Sequence, residues 1–161
     1  MLLEANMAPL QAYMTPEALP GTESGRIGML LGLKAKHPLD DIDLADRIGK
    51  GLAVSAAEAL SLALGRAAVV GPLIPEATLR RAKKSRKALS REMSERLYEV
   101  SRVLDAVSRV YHGDEDAISR FLNRPHKLLG GRSPMEMARS NSAGADAVIN
   151  MLRRAESGFS V

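Results

Sequence analysis

A long apolar stripe near the middle of the chain is the feature that most limits its fold. Apolar residues recur there at alternating spacings of four and three, at Met93, Leu97, Val100, Leu104, Val107 and Tyr111. This spacing puts all of them on one face of an α-helix. The sequence predicts this helix from Ser90, a residue type that caps helix starts, to about Tyr111, where His112-Gly113 ends it.

The stripe must be buried, and the sequence leaves two partners for it. A repeat of this kind is typical of a seam between two copies of a chain, and equally of the core-facing side of a long helix. Under the first interpretation, the dimerisation residues are Leu97, Val100 and Leu104. Under the second, the same residues belong to the core of one chain. We expect a homodimer and keep both interpretations open.

The composition also favours helices. Of the 161 residues, 45% are hydrophobic but only 3% are aromatic, and there is no Trp. The core must therefore consist mainly of Leu, Ala, Val, Ile and Met, which suits closely packed helices better than a β-sandwich. Capping residues and helical spacing mark further helices at residues 41–50, 55–64, 75 onwards, 114–124, 134–139 and 145–156. No pair of strands stands out, so the predicted fold class is all-α.

Two of these helices carry more detailed predictions. Residues 55–58, Ser-Ala-Ala-Glu, have the spacing of a capping box, so we expect Ser55 to be the N-cap of its helix. In residues 41–50, three apolar side chains share one face, which we expect to face the core: Ile42, Ala45 and Ile48.

Turn residues divide the chain into three parts. Residues 1–25 contain three prolines and Gly21 without sustained periodicity, which predicts a flexible N-terminal arm. Residues 26–112 are expected to form one helical domain and residues 113–161 a second, smaller one, with the division at His112-Gly113.

The absence of cysteine removes several functional classes. Without Cys, disulfides, thiolate zinc sites and a cysteine nucleophile are excluded. The start, Met1-Leu2-Leu3-Glu4, lacks the basic and long apolar regions of a secretory signal. The longest apolar stretch, around residues 27–33, is too short to cross a membrane. We therefore expect a cytoplasmic protein.

No group of residues predicts catalysis or metal binding. The acidic clusters at residues 40–43 and 114–116 lack the glycine turn and the distal Glu of a calcium loop, and they suit helix starts. Residues 129–133 lack the Gly-Lys-Ser/Thr ending of a phosphate-binding loop and predict a tight turn between helices. The three histidines are isolated from one another and lie beside loop signals: His37, His112 and His126. The sequence predicts a protein that is not an enzyme and has no catalytic residue, metal or cofactor.

The positive charge of the chain is concentrated in one window. The net charge is +4, and seven of the 23 Lys and Arg residues lie between residues 80 and 91, where there is no acid. Such a concentration suggests an anionic partner, and the alternative is an ordinary solvated helix face. A helix, a glycine turn and a proline break precede the window, which is the order of a helix-turn-helix. The predicted DNA-binding residues are Thr78, Arg80, Arg81, Lys83, Lys84, Arg86 and Lys87.

Two stretches together resemble a known family. The second half of the chain has an aromatic-Leu pair, a Pro, a Leu-Gly turn, a Ser-Pro step and a Gly…Val…Leu…Gly series, at Phe121-Leu122, Pro125, Leu129-Gly130, Ser133-Pro134, Gly144, Val148, Leu152 and Gly158. This resembles the C-terminal toxin-binding domain of the Xre/MbcA/ParS antitoxin family, in which Trp is common at the place of Phe121. Upstream, Gly51-Leu52, Thr78-Leu79-Arg80-Arg81 and residues 89–97 are similar to the family's Xre-type helix-turn-helix region.

The resemblance implies an antitoxin of a type II toxin–antitoxin pair. Its partner is expected to be a co-encoded RES-type toxin related to ADP-ribosyltransferases, whose NAD-binding cleft residues 113–161 cover. Residues 26–112 are expected to dimerise, which gives a toxin–antitoxin heterotetramer, and to bind promoter DNA. The alternatives are a stand-alone helix-turn-helix regulator without a toxin and a structural helical adaptor. The expected toxin-binding residues include arginines because their planar fork suits carboxylate-lined or anionic clefts: Arg132, Arg139, Asn141, Arg153, Arg154, Phe159 and Val161.

Overall fold

The computed structural model describes residues 9–158, which form nine α-helices and no β-strand. The predicted all-α fold class is therefore confirmed. Three short 3-10 turns, Pro9–Met14, Pro16–Ala18 and Lys127–Leu129, supplement the helices. The helices are α1 (Glu23–Leu30), α2 (Asp41–Lys50), α3 (Val54–Leu64), α4 (Arg66–Val69), α5 (Glu76–Ser85), α6 (Arg91–Val110), α7 (Glu115–Asn123), α8 (Pro134–Ser140) and α9 (Ser142–Glu156).

The long helix α6 lies at the centre of the fold. It begins after Ser90, whose hydroxyl accepts a hydrogen bond from the Met93 amide at 3.1 Å, as the sequence predicts. Helices from both halves of the chain pack around it: α1, α2 and α3 from the first half and α7, α8 and α9 from the second. One continuous hydrophobic core therefore joins the two halves of the chain.

This arrangement decides between the two interpretations of the apolar stripe. Leu97, Val100 and Leu104 are each at most 1% exposed, and the atoms that cover them belong to their own chain. A second copy has no access to these side chains. Their burial favours the second interpretation, in which Leu97, Val100 and Leu104 belong to the core of one chain and are not dimerisation residues.

Helices α2 and α3 differ from the sequence predictions in their orientation and start. In α2 the core-facing residues are Leu44 and Ile48, and Ile42 is exposed. Helix α3 begins at Val54 without a side-chain cap, so the capping box predicted at Ser55 is wrong.

The early start of α3 has a tertiary cause. The Leu52 amide donates to the Ser94 hydroxyl at 2.7 Å, and the Leu52 carbonyl accepts from the Leu89 amide at 2.8 Å. These two bonds hold Leu52 against the start of α6. Helix α3 then begins at Val54, one residue before the predicted cap Ser55.

The segment predicted as a flexible arm is packed from residue 9 onwards. Leu10 and Tyr13 are buried in the core, and the first 3-10 turn contacts α1, α3 and α6. The Tyr13 hydroxyl donates to Asp105 of α6 at 2.7 Å, and Arg26 Nε donates to the same carboxylate oxygen at 2.8 Å. Residues 1–8 of the arm lie outside the described part of the chain.

This buried trio ties the start of the chain to the central helix. The side chains of Arg26 and Asp105 are 10% and 2% exposed, so the ion pair is well shielded from water. Burial and the neighbouring Asp105 carboxylate raise the pKa of Tyr13, so the phenol stays a hydrogen-bond donor.

Within residues 9–158, no helix has both the length and the apolar character that a membrane crossing requires.

Candidate functional site

Local side-chain caps define the C-terminal helices. Asp114 accepts from the Ala117 amide at 3.2 Å and Ser133 from the Glu136 amide at 3.1 Å, which confirms the predicted starts of α7 and α8. Asn141 accepts from the Gly144 amide at 2.8 Å and so caps α9. Helix α9 therefore begins three residues before the predicted start, and the side chain of Asn141 has a structural role.

The last two helices pack together through Gly144. A Cβ atom built at this position would overlap the carbonyl oxygen of Met137 in α8, and backbone atoms cannot move aside as a side-chain end can. Beyond this contact, the buried side of α9 faces α6 and carries Val148, Ile149 and Leu152. The glycine thus sets how closely α8 and α9 approach.

Replacing Gly144 by Ala is expected to lower the free energy of unfolding by about 1–3 kcal/mol, the usual cost of overpacking. A loss of stability is informative, because Ala in a helix interior is otherwise favoured over Gly by about 1 kcal/mol. Helix propensity alone would make the Ala variant more stable. Chemical denaturation followed by circular dichroism measures the change. Gly21→Ala is the control, since its Cβ meets no atom within 4 Å. A Gly144→Ala variant as stable as the native chain contradicts the close contact.

An ion-pair network links α9 to the central helix. Arg102 of α6 donates to Asp146 of α9 at 2.7 Å and also to Glu99. Its guanidinium lies 5.8 Å from the ring centre of Tyr98. Burial lowers the pKa of Arg102, but the hydrogen bonds to the two carboxylates outweigh it and leave the pKa raised. Arg102 therefore remains charged and ties α9 to the middle of α6.

The turn between α7 and α8 is closed by its own backbone. The amide of His126 donates to the Arg132 carbonyl, and the amide of Gly131 donates to the His126 carbonyl, both at 3.0 Å. Gly130 and Gly131 both have positive φ, which only glycine adopts readily. The predicted tight inter-helix turn is confirmed. It leaves Leu128 more than half exposed at its tip.

The predicted toxin-binding residues do not form a single cluster. Arg132, on the turn, is exposed and donates to the Leu129 carbonyl at 3.3 Å. Arg139 lines one hollow and Arg153 another, beside Arg109 and Val110 of α6. Arg154 is exposed next to Arg153. The remaining two residues, Phe159 and Val161, lie outside the described residues.

The hollow that Arg139 lines is a groove that the sequence analysis did not predict. The groove has a volume of about 450 Å³ and lies between α3–α4 and α7–α8. The C-terminal side contributes Ile118, Leu122 and Met135, and the opposite side consists mainly of alanines, Ala63, Ala67 and Ala68. No local sequence signal could have located it, because its two walls are about fifty residues apart in the chain.

The predicted DNA-binding residues do share one surface. Helix α5 buries Leu79, and its exposed side carries most of the basic residues. Thr78 is half-buried, and its hydroxyl accepts from Arg81 at 3.5 Å. Lys83 forms an ion pair with Glu58 at 3.4 Å. Among residues 9–158, no acidic side chain pairs with the five other basic residues, Arg80, Arg81, Lys84, Arg86 and Lys87. The members of this surface, here called the basic surface, are Arg80, Arg81, Lys83, Lys84, Arg86 and Lys87.

In the part of the chain that the structure describes, no three His, Cys, Asp or Glu side chains are grouped as metal ligands. Two regions are candidate functional sites: the basic surface and the C-terminal helices.

Comparison with known families identifies the second of these. Residues 108–158 match the antitoxin Xre/MbcA/ParS C-terminal toxin-binding domain. The match runs from the last turn of α6 through α9 and leaves the basic surface outside it. None of the curated proteins matches the chain. Residues 108–158 are therefore a toxin-binding domain of the Xre/MbcA/ParS antitoxin type.

Proposed function

We propose that this antitoxin neutralises a co-encoded RES-type toxin, related to ADP-ribosyltransferases, by covering the toxin's NAD-binding cleft. The observation that carries the proposal is the toxin-binding domain at residues 108–158. NAD is then the substrate of the toxin and has no site on this chain. The antitoxin acts by binding alone and is not an enzyme.

The shape of the domain supports binding by a preformed surface. Its helices are capped by their own side chains and packed on α6, so little conformational entropy is lost on association. We propose that Arg132, Arg139, Arg153 and Arg154 contact the toxin, because guanidinium groups bind carboxylates in pairs of parallel hydrogen bonds. Asn141 supports them indirectly through its cap of α9.

We further propose that the basic surface binds promoter DNA of the antitoxin's own operon. Helix α5 follows α3 and the short α4, packs on α3, and presents its charges outward. This is the order of elements in a helix-turn-helix, in which the second helix meets the major groove and Arg and Lys bind phosphates. A stand-alone regulator is the alternative function, and the toxin-binding domain favours the antitoxin.

The full-length chain is expected to co-purify with a catalytically inactive form of its toxin and to stop NAD consumption by the active form. Arg139→Glu and Arg153→Glu test the two hollows separately. Each charge reversal is expected to raise the antitoxin concentration for half-inhibition by about tenfold or more. The new Glu would repel the toxin carboxylate with which the Arg is proposed to pair. Titration of antitoxin against NAD consumption gives this number.

Lys34→Glu is the matched control, because Lys34 is exposed and outside the toxin-binding domain. It changes net charge equally and should leave inhibition unchanged. A chain that binds DNA but neither co-purifies with the toxin nor inhibits it is a stand-alone regulator, and the proposal then fails.

A further inference from the structure

The groove beside Arg139 crosses the boundary of the toxin-binding domain. One of its walls comes from α7 and α8, which lie within residues 108–158. The other wall comes from the end of α3 and from α4, which lie outside that range. A partner that fills the groove must therefore contact both halves of the chain.

The bottom of the groove is apolar. Ile118 and Leu122 of α7 and Met135 of α8 line it, and all three side chains are buried in the core. Leu64, the last residue of α3, is half-buried on the opposite wall. Apolar atoms at the bottom of a preformed hollow contribute to affinity when the side chain of a partner displaces water from them.

The edge of the groove carries three charged side chains, Glu115, Glu136 and Arg139. None of them forms an ion pair with a side chain of residues 9–158. An apolar centre with a polar rim is the usual arrangement of a contact between proteins. The two glutamates disfavour the phosphate backbone of DNA, whose proposed site is the basic surface on α5.

The wall outside the toxin-binding domain has short side chains at Ala63, Ala67 and Ala68. Ala67 is exposed, and the other two are half-buried. Because a methyl group extends little from the backbone, this wall leaves the groove open. A longer side chain at Ala67 would take up part of the space that a partner needs.

We propose that the toxin inserts an apolar side chain into this groove and thereby contacts α4 as well as the toxin-binding domain. A carboxylate of the toxin beside that side chain pairs with Arg139, because a guanidinium binds a carboxylate through two parallel hydrogen bonds. The toxin is the occupant because most of the groove, including its bottom and Arg139, belongs to the toxin-binding domain. This inference rests on the proposed function and extends the toxin interface beyond residues 108–158.

Ala67→Trp is the first test, measured as the Kd of the full-length chain for the catalytically inactive toxin by isothermal titration calorimetry. The indole occupies part of the groove without a change in charge and should raise the Kd by about tenfold or more, because the toxin side chain no longer fits. Ala18→Trp is the matched control, since Ala18 is exposed on a 3-10 turn and does not line the groove. Circular dichroism should show both variants folded, because both positions are exposed.

The absence of cysteine allows a second test without a bulky substitution. Ala67→Cys and Ala18→Cys each give the chain a single thiol. In the free chain, iodoacetamide should alkylate both thiols readily, because both positions are exposed. Saturating inactive toxin should slow alkylation of the Ala67→Cys variant by about tenfold or more, because thiol reactions require access to the sulfur. The Ala18→Cys variant should react at the same rate with and without toxin, as followed by mass spectrometry of the antitoxin chain.

The outcomes separate this inference from the proposed function. A native chain that neither binds nor inhibits the toxin overturns both. If the native chain inhibits the toxin, an unchanged Kd for Ala67→Trp overturns the inference alone, as does equal alkylation of Ala67→Cys with and without toxin. An Ala67→Cys thiol that is already protected in the free chain also overturns it, because the groove is then filled by the chain itself.

Discussion

Replacing Asp105 by Ala is expected to lower the free energy of unfolding by about 3–5 kcal/mol, the cost of breaking a buried ion pair from one side. Asp105 accepts from both Tyr13 and Arg26, and its own side chain is 2% exposed. Without it, the Arg26 guanidinium is a buried charge with no compensating partner. The Tyr13 hydroxyl also loses its acceptor, so the first 3-10 turn should detach from α6. Denaturant titration followed by circular dichroism measures the loss.

Two further variants separate the charge from general disruption of the core. Asp116→Ala removes an exposed acid of α7 and should change stability by less than about 0.5 kcal/mol. The double variant Asp105→Leu with Arg26→Leu removes both charges and should recover much of the stability, because apolar replacement of a whole buried pair is often neutral. If Asp105→Ala alone costs less than 1 kcal/mol, water reaches Arg26 and the trio is not a shielded pair.

Neutralising four members of the basic surface is expected to reduce DNA affinity on the order of a hundredfold at 0.1 M salt. The variant replaces Lys83, Lys84, Arg86 and Lys87 by Ala. Each phosphate contact that is lost should also reduce the slope of log affinity against log salt by about 0.9, because fewer counterions are released on binding. Gel-shift titrations at several salt concentrations give both quantities. The loss should be similar for different DNA sequences, since phosphate contacts do not read bases.

The chain offers a control with the same change in net charge. Lys34, Lys36, Arg120 and Arg124 are all exposed and lie outside α5, so replacing these four by Ala should leave the salt slope nearly unchanged. An unchanged slope in the basic-surface variant contradicts the DNA proposal and leaves α5 as a solvated helix face.

Arg86 provides a single-residue version of the same test. It ends α5 with a left-handed backbone, φ 55°, a conformation that glycine adopts at lower cost. Arg86→Gly should therefore keep or raise the thermal stability while it removes one charge. A drop in DNA affinity in this variant cannot be attributed to unfolding.

The sequence predicted the features that depend on neighbours along the chain. The period of α6 follows from side-chain spacing, and the capping side chains of Ser90, Asp114 and Ser133 act within three residues. The turn at residues 129–133 follows from its two glycines, since both require positive φ. Other short motifs, between Phe121 and Gly158, carry the resemblance to the toxin-binding domain of the antitoxin family, which the match over residues 108–158 confirms.

Only the tertiary structure decided which surfaces are covered and which remain free. Leu97 was compatible with a seam or a core by spacing alone, and the helices around α6 place it in the core. Ile42 and Ala45 have the right spacing for a core face, but contact with α1 and α6 turns α2 so that Leu44 is buried in their place. The helical spacing of apolar residues in α2 allows more than one side of the helix to face the core. Packing against neighbouring helices decides which side is buried.

Contacts between distant segments explain the remaining differences. Tyr13 becomes part of the core through Asp105, which lies 92 residues further along the chain, so the local prediction of an arm had no access to it. The groove beside Arg139 and the spread of the predicted arginines over two hollows have the same origin. The sequence by itself determined most of the helices, the caps at Ser90, Asp114 and Ser133 and the family of the C-terminal domain, because these depend on residues within a few turns of each other. The tertiary structure decided the buried faces, the grooves and the free side of α2, because these depend on which distant helices meet.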